Sequence, residues 1–235
     1  MGLNSIKLFC IPYSGGNAYS YSEFKKFLPE NIELCNLELP GRGKRILEPL
    51  LGSIEEMTED LFLQIENKIE GKYVIFGHSL GALLSLTLCR YIAKKGLNLP
   101  VTLFVSGQTA ASLMKSDDTF ALPDNLFLNM LRKMEGTPEE LLADESFVKY
   151  FLPVIRADFK SISCYKYEPS DMPVKTPIAV LLGTGENISN EDASAWQQET
   201  SLSISIHRFE GGHFFIFNNT SEICRLIVDK INESI

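Results

Sequence analysis

The sequence predicts an α/β architecture: a mostly parallel, doubly wound sheet with helices on both faces and a helical insertion. Three observations carry this. Six short apolar runs recur along the chain, separated by stretches of helical spacing. Five of them are nearly continuous in apolar residues, as strands covered on both faces are. The alternation then fails over residues 111–172, where only helical spacing is found.

Taken in order, "IKLFCIP" (6–12) reads as the first strand and runs into the glycine-rich "PYSGGNAYSY". "YSEFKKFL" has helical spacing, and "IELCNLEL" (32–39) reads as the second strand. "SIEEMTEDLFLQIENKI" is amphipathic at helical period, with a stop expected at Gly71. "YVIFG" (73–77) is a third strand and "LGALLSLTLCRYIAKKG" a helix stopped at Gly96. "VTLFVSG" (101–107) is the fourth strand. The stretch 111–172 is too long for one crossover, and Pro123 and Pro138 stand where helix N-termini belong. "PIAVLLG" (177–183) is the fifth strand. "LSISIHRFEG" (202–211) alternates, so it belongs near an edge, and "TSEICRLIVDKINESI" closes the chain as a helix. At 235 residues, one domain over 1–235 is expected, large enough to bury its core without a staple.

Composition removes several classes of function. The chain is 45% hydrophobic and 22% charged, with a formal net charge of -8. That acidic field argues against nucleic acid or an anionic membrane as the main partner. Five cysteines, an odd number at wide spacing with no Cys-x-x-Cys, read as reduced core thiols of a cytoplasmic protein. Three histidines without ligand spacing make a metal site improbable, and no cofactor is expected. The start is not a signal peptide, and no run of eighteen apolar residues is present.

Between two apolar runs stands "FGHSLGA" (76–82). A Gly-x-Ser-x-Gly match is weak by itself. Here a strand precedes it and a helix follows, the context of a nucleophile elbow, so Ser79 is the candidate nucleophile at the helix N-terminus. A helix-capping serine would not need Gly77 and Gly81. The base must be one of His78, His207 and His213. His78 fills the variable motif position and is expected to point away from the partners of Ser79. His207 lies within the alternating strand. His213 follows Gly211-Gly212 just beyond that strand and comes last in the chain, as this triad order requires. The oxyanion needs two backbone N–H donors. They are expected from Leu80, after the nucleophile, and from Ser14 in the loop after the first strand.

"PYSGGNAYSY", "LPGRG" (39–43), "FGHSLGA" and "FEGGHFF" (209–215), in this order, resemble type II thioesterases of nonribosomal peptide and polyketide synthase systems. The resemblance covers essentially the whole chain. It implies an α/β-hydrolase fold whose insertion is a lid, and a serine hydrolase removing acyl or aminoacyl groups from phosphopantetheine on acyl or peptidyl carrier domains. It puts the nucleophile on Ser79, the base on His213 and the oxyanion donors on Ser14 and Leu80. Relatives usually place an aspartate a few residues past the strand after the lid; here that position holds Glu186, and the spacing to Trp196 supports the register. Asp192, Glu191, Asp117 and Asp118 are the rivals. Phe127, Met130, Phe147 and Phe151 are candidates for the acyl pocket, and Arg132, Lys133 and Arg156 for a carrier-facing patch. A monomer is expected. A general carboxylesterase or acyltransferase of the same fold, and a non-catalytic binding protein, are the competing readings.

Overall fold

The computed structural model describes residues 5–134, 136–169 and 172–234. Among these, the strands are β1 (Ile6–Ile11), β2 (Ile32–Asn36), β3 (Tyr73–His78), β4 (Thr102–Ser106), β5 (Ile178–Gly183) and β6 (Ile204–Phe209). They form a six-stranded sheet in the order β2-β1-β3-β4-β5-β6, with every neighbouring pair parallel. From β1 the chain leaves toward β2; from β3 it leaves the other way, toward β4. The crevice between those diverging connections is where open α/β sheets bind ligands. The loops carrying Ser14 and Ser79 both open there.

The helices are α1 (Ile54–Ile65), α2 (Leu80–Lys94), α3 (Asp124–Met134), α4 (Glu139–Leu142), α5 (Glu145–Cys164), α6 (Asn190–Ser194), α7 (Phe215–Asn218) and α8 (Thr220–Glu233). Alternate strand residues point to opposite faces. Phe9, Ile11, Tyr73, Ile75, Leu103 and Val105 meet α1 and α2 on one face. Leu8, Cys10, Val74, Phe76 and Phe104 meet α8 on the other, with a 3₁₀ turn at Ser22–Lys26. Continuous apolar strands follow from this double cover. In α1 the Ser53 side chain accepts the Glu56 N–H as N-cap, and Ile54, Met57, Leu61 and Ile65 form the buried stripe. In α8 the stripe is Ile223, Ile227 and Ile231. Each such burial contributes about 1.5–3 kcal/mol.

Four expectations need correction. "YSEFKKFL" forms only the 3₁₀ turn; with Phe24 as its one buried residue, it lacks the stripe that would dock a longer helix. β2 lies at the edge of the sheet beside β1 and is not covered on both faces: Glu33 is exposed and Cys35 and Asn36 are only half-covered. α1 ends at Ile65 and tightens into a 3₁₀ turn, so Gly71 is not its stop. Residues 111–123 carry 3₁₀ turns, and the helical insertion proper is α3–α5. Pro123 and Pro138 do precede α3 and α4. The insertion has its own small core of Phe127, Leu131, Leu152 and Ile155. Phe127 is therefore spent inside it rather than on a pocket. No described helix is long and apolar enough to cross a membrane.

Thiol reactivity should report this burial. Cys10 is buried, and burial raises its thiol well above the usual range. Burial pushes Cys89 and Cys224 to about 12 and Cys35 to about 11. Thiolates are the reactive form. With a disulfide reagent at pH 7.5, exposed Cys164 should react at a free-thiol rate and the other four more than tenfold more slowly until denaturant is added. Fast reaction of a second thiol would contradict the packing.

Candidate active site

Ser79 joins β3 to α2 at φ 56° and ψ -119°, the single positive-φ non-glycine among the described residues. Such backbone costs on the order of 1–3 kcal/mol and persists only where its surroundings enforce it. They do. A Cβ on Gly77 would stand 2.0 Å from the Gly81 carbonyl oxygen, and one on Gly81 would stand 2.4 Å from the Ile11 carbonyl oxygen. The Ser79 N–H donates to the Ser106 carbonyl at 2.8 Å, tying the turn to the end of β4. Ser79 is left half-buried at the N-terminus of α2.

His213 and Glu186 meet across the ends of β5 and β6. The Thr184 N–H donates to the Phe209 carbonyl and the Gly185 N–H to the Gly211 carbonyl, both at 2.8 Å. A Cβ on Gly183 would lie 2.5 Å from the Gly212 carbonyl oxygen, so the two loops pack backbone to backbone. In this setting His213 Nδ1 lies 2.8 Å from Glu186 Oε1, and Glu186 Oε2 accepts the Gly183 N–H at 2.7 Å. The Glu186 side chain is 6% exposed. A carboxylate on Nδ1 fixes the tautomer with its proton there, leaving a lone pair on Nε2. Nε2 is buried and has no hydrogen-bond partner among the described residues. Asp192 is occupied elsewhere, in a capping box with Ser189. Asp117 accepts the Thr119 N–H, and Asp118 precedes a 3₁₀ turn.

Two backbone N–H groups at the same edge of the sheet lack acceptors. The Leu80 N–H, first in α2, has no acceptor within its helix. The Ser14 N–H has no acceptor among the described residues, and Ser14 Oγ is buried without a partner. A cavity of about 490 Å³ reaches His213 and Glu186 and is lined by Gln108, Thr109, Leu113, Asn187 and Ile188. Among the described residues no group of three or more His, Cys, Asp and Glu could hold a metal ion.

Two histidines behave differently from one another. His207 sits in β6 with Nε2 3.0 Å from Ser205 Oγ, as an edge-strand residue would. His78 does not point away from the site: its ring centroid is 4.9 Å from that of His213, and Nδ1 lies 2.9 Å from Ser106 Oγ. The fully buried ring leaves Gly107 no room for a side chain. Sequence reasoning also passed over Glu38, Arg42 and Asp158, all buried. Each is a charge inside an apolar or glycine-rich stretch ("LEL", "PGRG", and the buried side of α5), and that was the available signal.

Burial, and next the charge of His213, hold the His78 imidazole well below its usual 6.5, so it stays neutral. As pH falls through about 6.5 the unfolded chain takes up a proton that the native protein does not, so stability is lost on acidification. The loss reaches up to about 1.4 kcal/mol per pH unit. His207 is shifted in the same direction and is common to both proteins compared. Urea unfolding at pH 7.5 and 5.5 should show a smaller decline in His78→Gln than in the parent, by roughly 1 kcal/mol. Equal declines would assign the effect elsewhere.

Comparison with known proteins bears on this geometry. Residues 6–231 match the family model for the thioesterase domain. The gramicidin S biosynthesis protein GrsT of Aneurinibacillus migulanus is 35% identical over 228 residues, 96% of this chain and 89% of that one. Thioesterase PikA5 of Streptomyces venezuelae is 31% identical over 230 residues, 97% and 82% of the two chains. The crystal structure of ClbQ from the colibactin NRPS/PKS pathway superposes with a TM-score of 0.92 at 29% identity, covering 98% of each chain. YbtT, a type II thioesterase from the yersiniabactin NRPS/PKS pathway, gives 0.88 at 25% identity, with 100% and 96% covered. The fold is that of the α/β-hydrolase thioesterases, and the chain belongs to the thioesterase family as a type II thioesterase of nonribosomal peptide and polyketide systems.

Proposed function

We propose that the protein hydrolyses acyl or aminoacyl thioesters carried on the phosphopantetheine arm of carrier domains, clearing them for further synthesis. Ser79 is the nucleophile, His213 the general base and Glu186 its orienting acid. The observation that carries the reading is His213 itself: Nδ1 is held by Glu186 at 2.8 Å, while Nε2 is buried and has no hydrogen-bond partner among the described residues.

Ser79 Oγ attacks the thioester carbonyl carbon as His213 Nε2 takes its proton. The oxyanion is met by the Ser14 and Leu80 N–H groups. Collapse breaks the C–S bond, and His213 returns the proton to the leaving thiol. Water then attacks the acyl-serine with His213 again as base, releasing a carboxylic acid and restoring Ser79. A thiolate leaves readily, so positioning and oxyanion stabilisation are the main demands on the protein. The insertion α3–α5 is the lid. The basic patch expected on it is largely neutralised from within: Arg132 holds Glu139 at 3.0 Å and Arg156 holds Asp124 at 2.7 Å. Carrier recognition therefore rests on more than these charges.

Carrier protein loaded with acetyl, decanoyl or alanyl groups should release free acid with the parent enzyme, and with Ser79→Ala at least about 10³-fold more slowly. Faster cleavage of oxygen esters of the same acyl groups would make the protein a carboxylesterase. Transfer to an acceptor in preference to water would make it an acyltransferase. Fluorophosphonate labelling that survives Ser79→Ala would refute the assignment. Glu186→Gln should keep the fold by circular dichroism and lower kcat by about 10³–10⁴-fold, with Asp192→Asn near parental activity. The reverse pattern would move the acid to Asp192.

A further inference from the structure

Three segments distant in sequence converge beneath Ser14. Arg42, from the loop after β2, meets Asp158 of α5 through two parallel bonds: Nη1 to Oδ2 at 2.7 Å and Nη2 to Oδ1 at 2.8 Å. The two side chains are 4% and 0% exposed. Asp158 Oδ2 accepts one bond more, from the Gly15 N–H, at 2.7 Å. The same face of α5 presses on Gly15, where a Cβ would stand 2.7 Å from a Phe151 ring carbon and 3.3 Å from Ile155 Cδ1. Gly15 holds φ at +75°, so a tight left-handed turn is fixed against the insertion.

The consequence for Ser14 follows from peptide geometry. Its N–H shares a rigid plane with the Tyr13 carbonyl, and in a trans peptide the two point in opposite directions. The Tyr13 carbonyl is engaged by the Gly16 N–H at 2.8 Å. The next plane contains the Gly15 N–H that Asp158 holds. Both planes flanking the Ser14 Cα are therefore set, one by the turn and one by the insertion. A buried ion pair is a poor source of stability, since apolar replacements of similar volume are often neutral or better. What an apolar pair lacks is an acceptor for the Gly15 N–H.

We propose that Asp158, supported by Arg42, is the positioning residue of the oxyanion donor at Ser14, so that the enzyme is hydrolytically competent only with α5 seated. This rests on the serine-hydrolase reading above. Asp158 touches no reacting atom; it acts through the Ser14–Gly15 peptide.

The test uses the full chain and the butyryl thioester of N-acetylcysteamine, with active sites counted by the end-point of fluorophosphonate labelling. R42M/D158L removes the charges and the acceptor together. Per titrated site, kcat should fall about 10- to 100-fold, with KM within about threefold, because a misplaced oxyanion donor affects the transition state more than the bound substrate. Affinity for a butyl boronic acid, which forms a tetrahedral adduct on serine, should fall in parallel. R42Q/D158N discharges the pair yet keeps a carbonyl acceptor for Gly15, and should stay within about threefold of the parent. If R42M/D158L gives no titratable sites, R42L/D158A is read by the same criteria. The proposal is overturned if the apolar variant keeps parental kcat per site, if its loss lies in KM or in the number of sites, or if the neutral variant falls as far. A parent enzyme that leaves the thioester intact would instead refute the hydrolase reading.

Discussion

The site depends on one crowded place in the backbone. At the β3–α2 turn, strand, helix and the end of β1 approach until neither Gly77 nor Gly81 could carry a methyl group. That approach forces the φ of 56° at Ser79. It also puts the N-terminus of α2 beside the loop that follows β1, where Ser14 lies. Ser79, the Leu80 N–H and the loop that holds Ser14 are thus placed by one contact between three pieces of main chain. Side-chain identity enters only afterwards.

Glu186 and His213 are brought together by a second main-chain contact, between the loops after β5 and β6. Glu186 is no flexible carboxylate reaching across open space. Its Oε2 is bound by the Gly183 N–H and its Oε1 faces His213, so both oxygens have assigned partners. The longer side chain at this position is taken up by a loop whose glycines touch backbone to backbone. His78, whose ring centroid stands 4.9 Å from that of His213, adds an uncharged wall, because burial holds its imidazole neutral.

Much of this was legible in the sequence because it is local. A strand-turn-helix motif, a glycine pair before a histidine and an acid beyond a strand are all written within a few residues. Ser79 and His213 could be named that way; Glu186 came from the register of the family resemblance, with four other acids left as rivals, and the structure brings His213 and Glu186 into contact. The parallel sheet was legible from its apolar runs. What stayed hidden was non-local or depended on a missing partner. Arg42 and Asp158 are 116 residues apart, and no periodicity announces a pairing at that distance. β2 was read as covered on both faces because apolar character was counted without weighing the exposed Glu33. The short segment after Tyr21 had helical spacing, but only Phe24 had anything to pack against. His78 was judged by its motif position, which says nothing of what stands opposite.

The insertion keeps its apolar cluster to itself. Phe127, Leu131, Leu152 and Ile155 pack on one another and are distinct from both sheet cores. The coupling to the sheet falls to the far end of α5, where Ile162 packs against the core formed with α1 and α2. The four cluster positions can then vary with little consequence for the sheet, provided that Asp158 and the surface resting on Gly15 are retained. For engineering, the transplantable unit in this protein is therefore the insertion together with its Arg42 counterpart. A chimaera that moves one without the other would leave a buried charge without its partner.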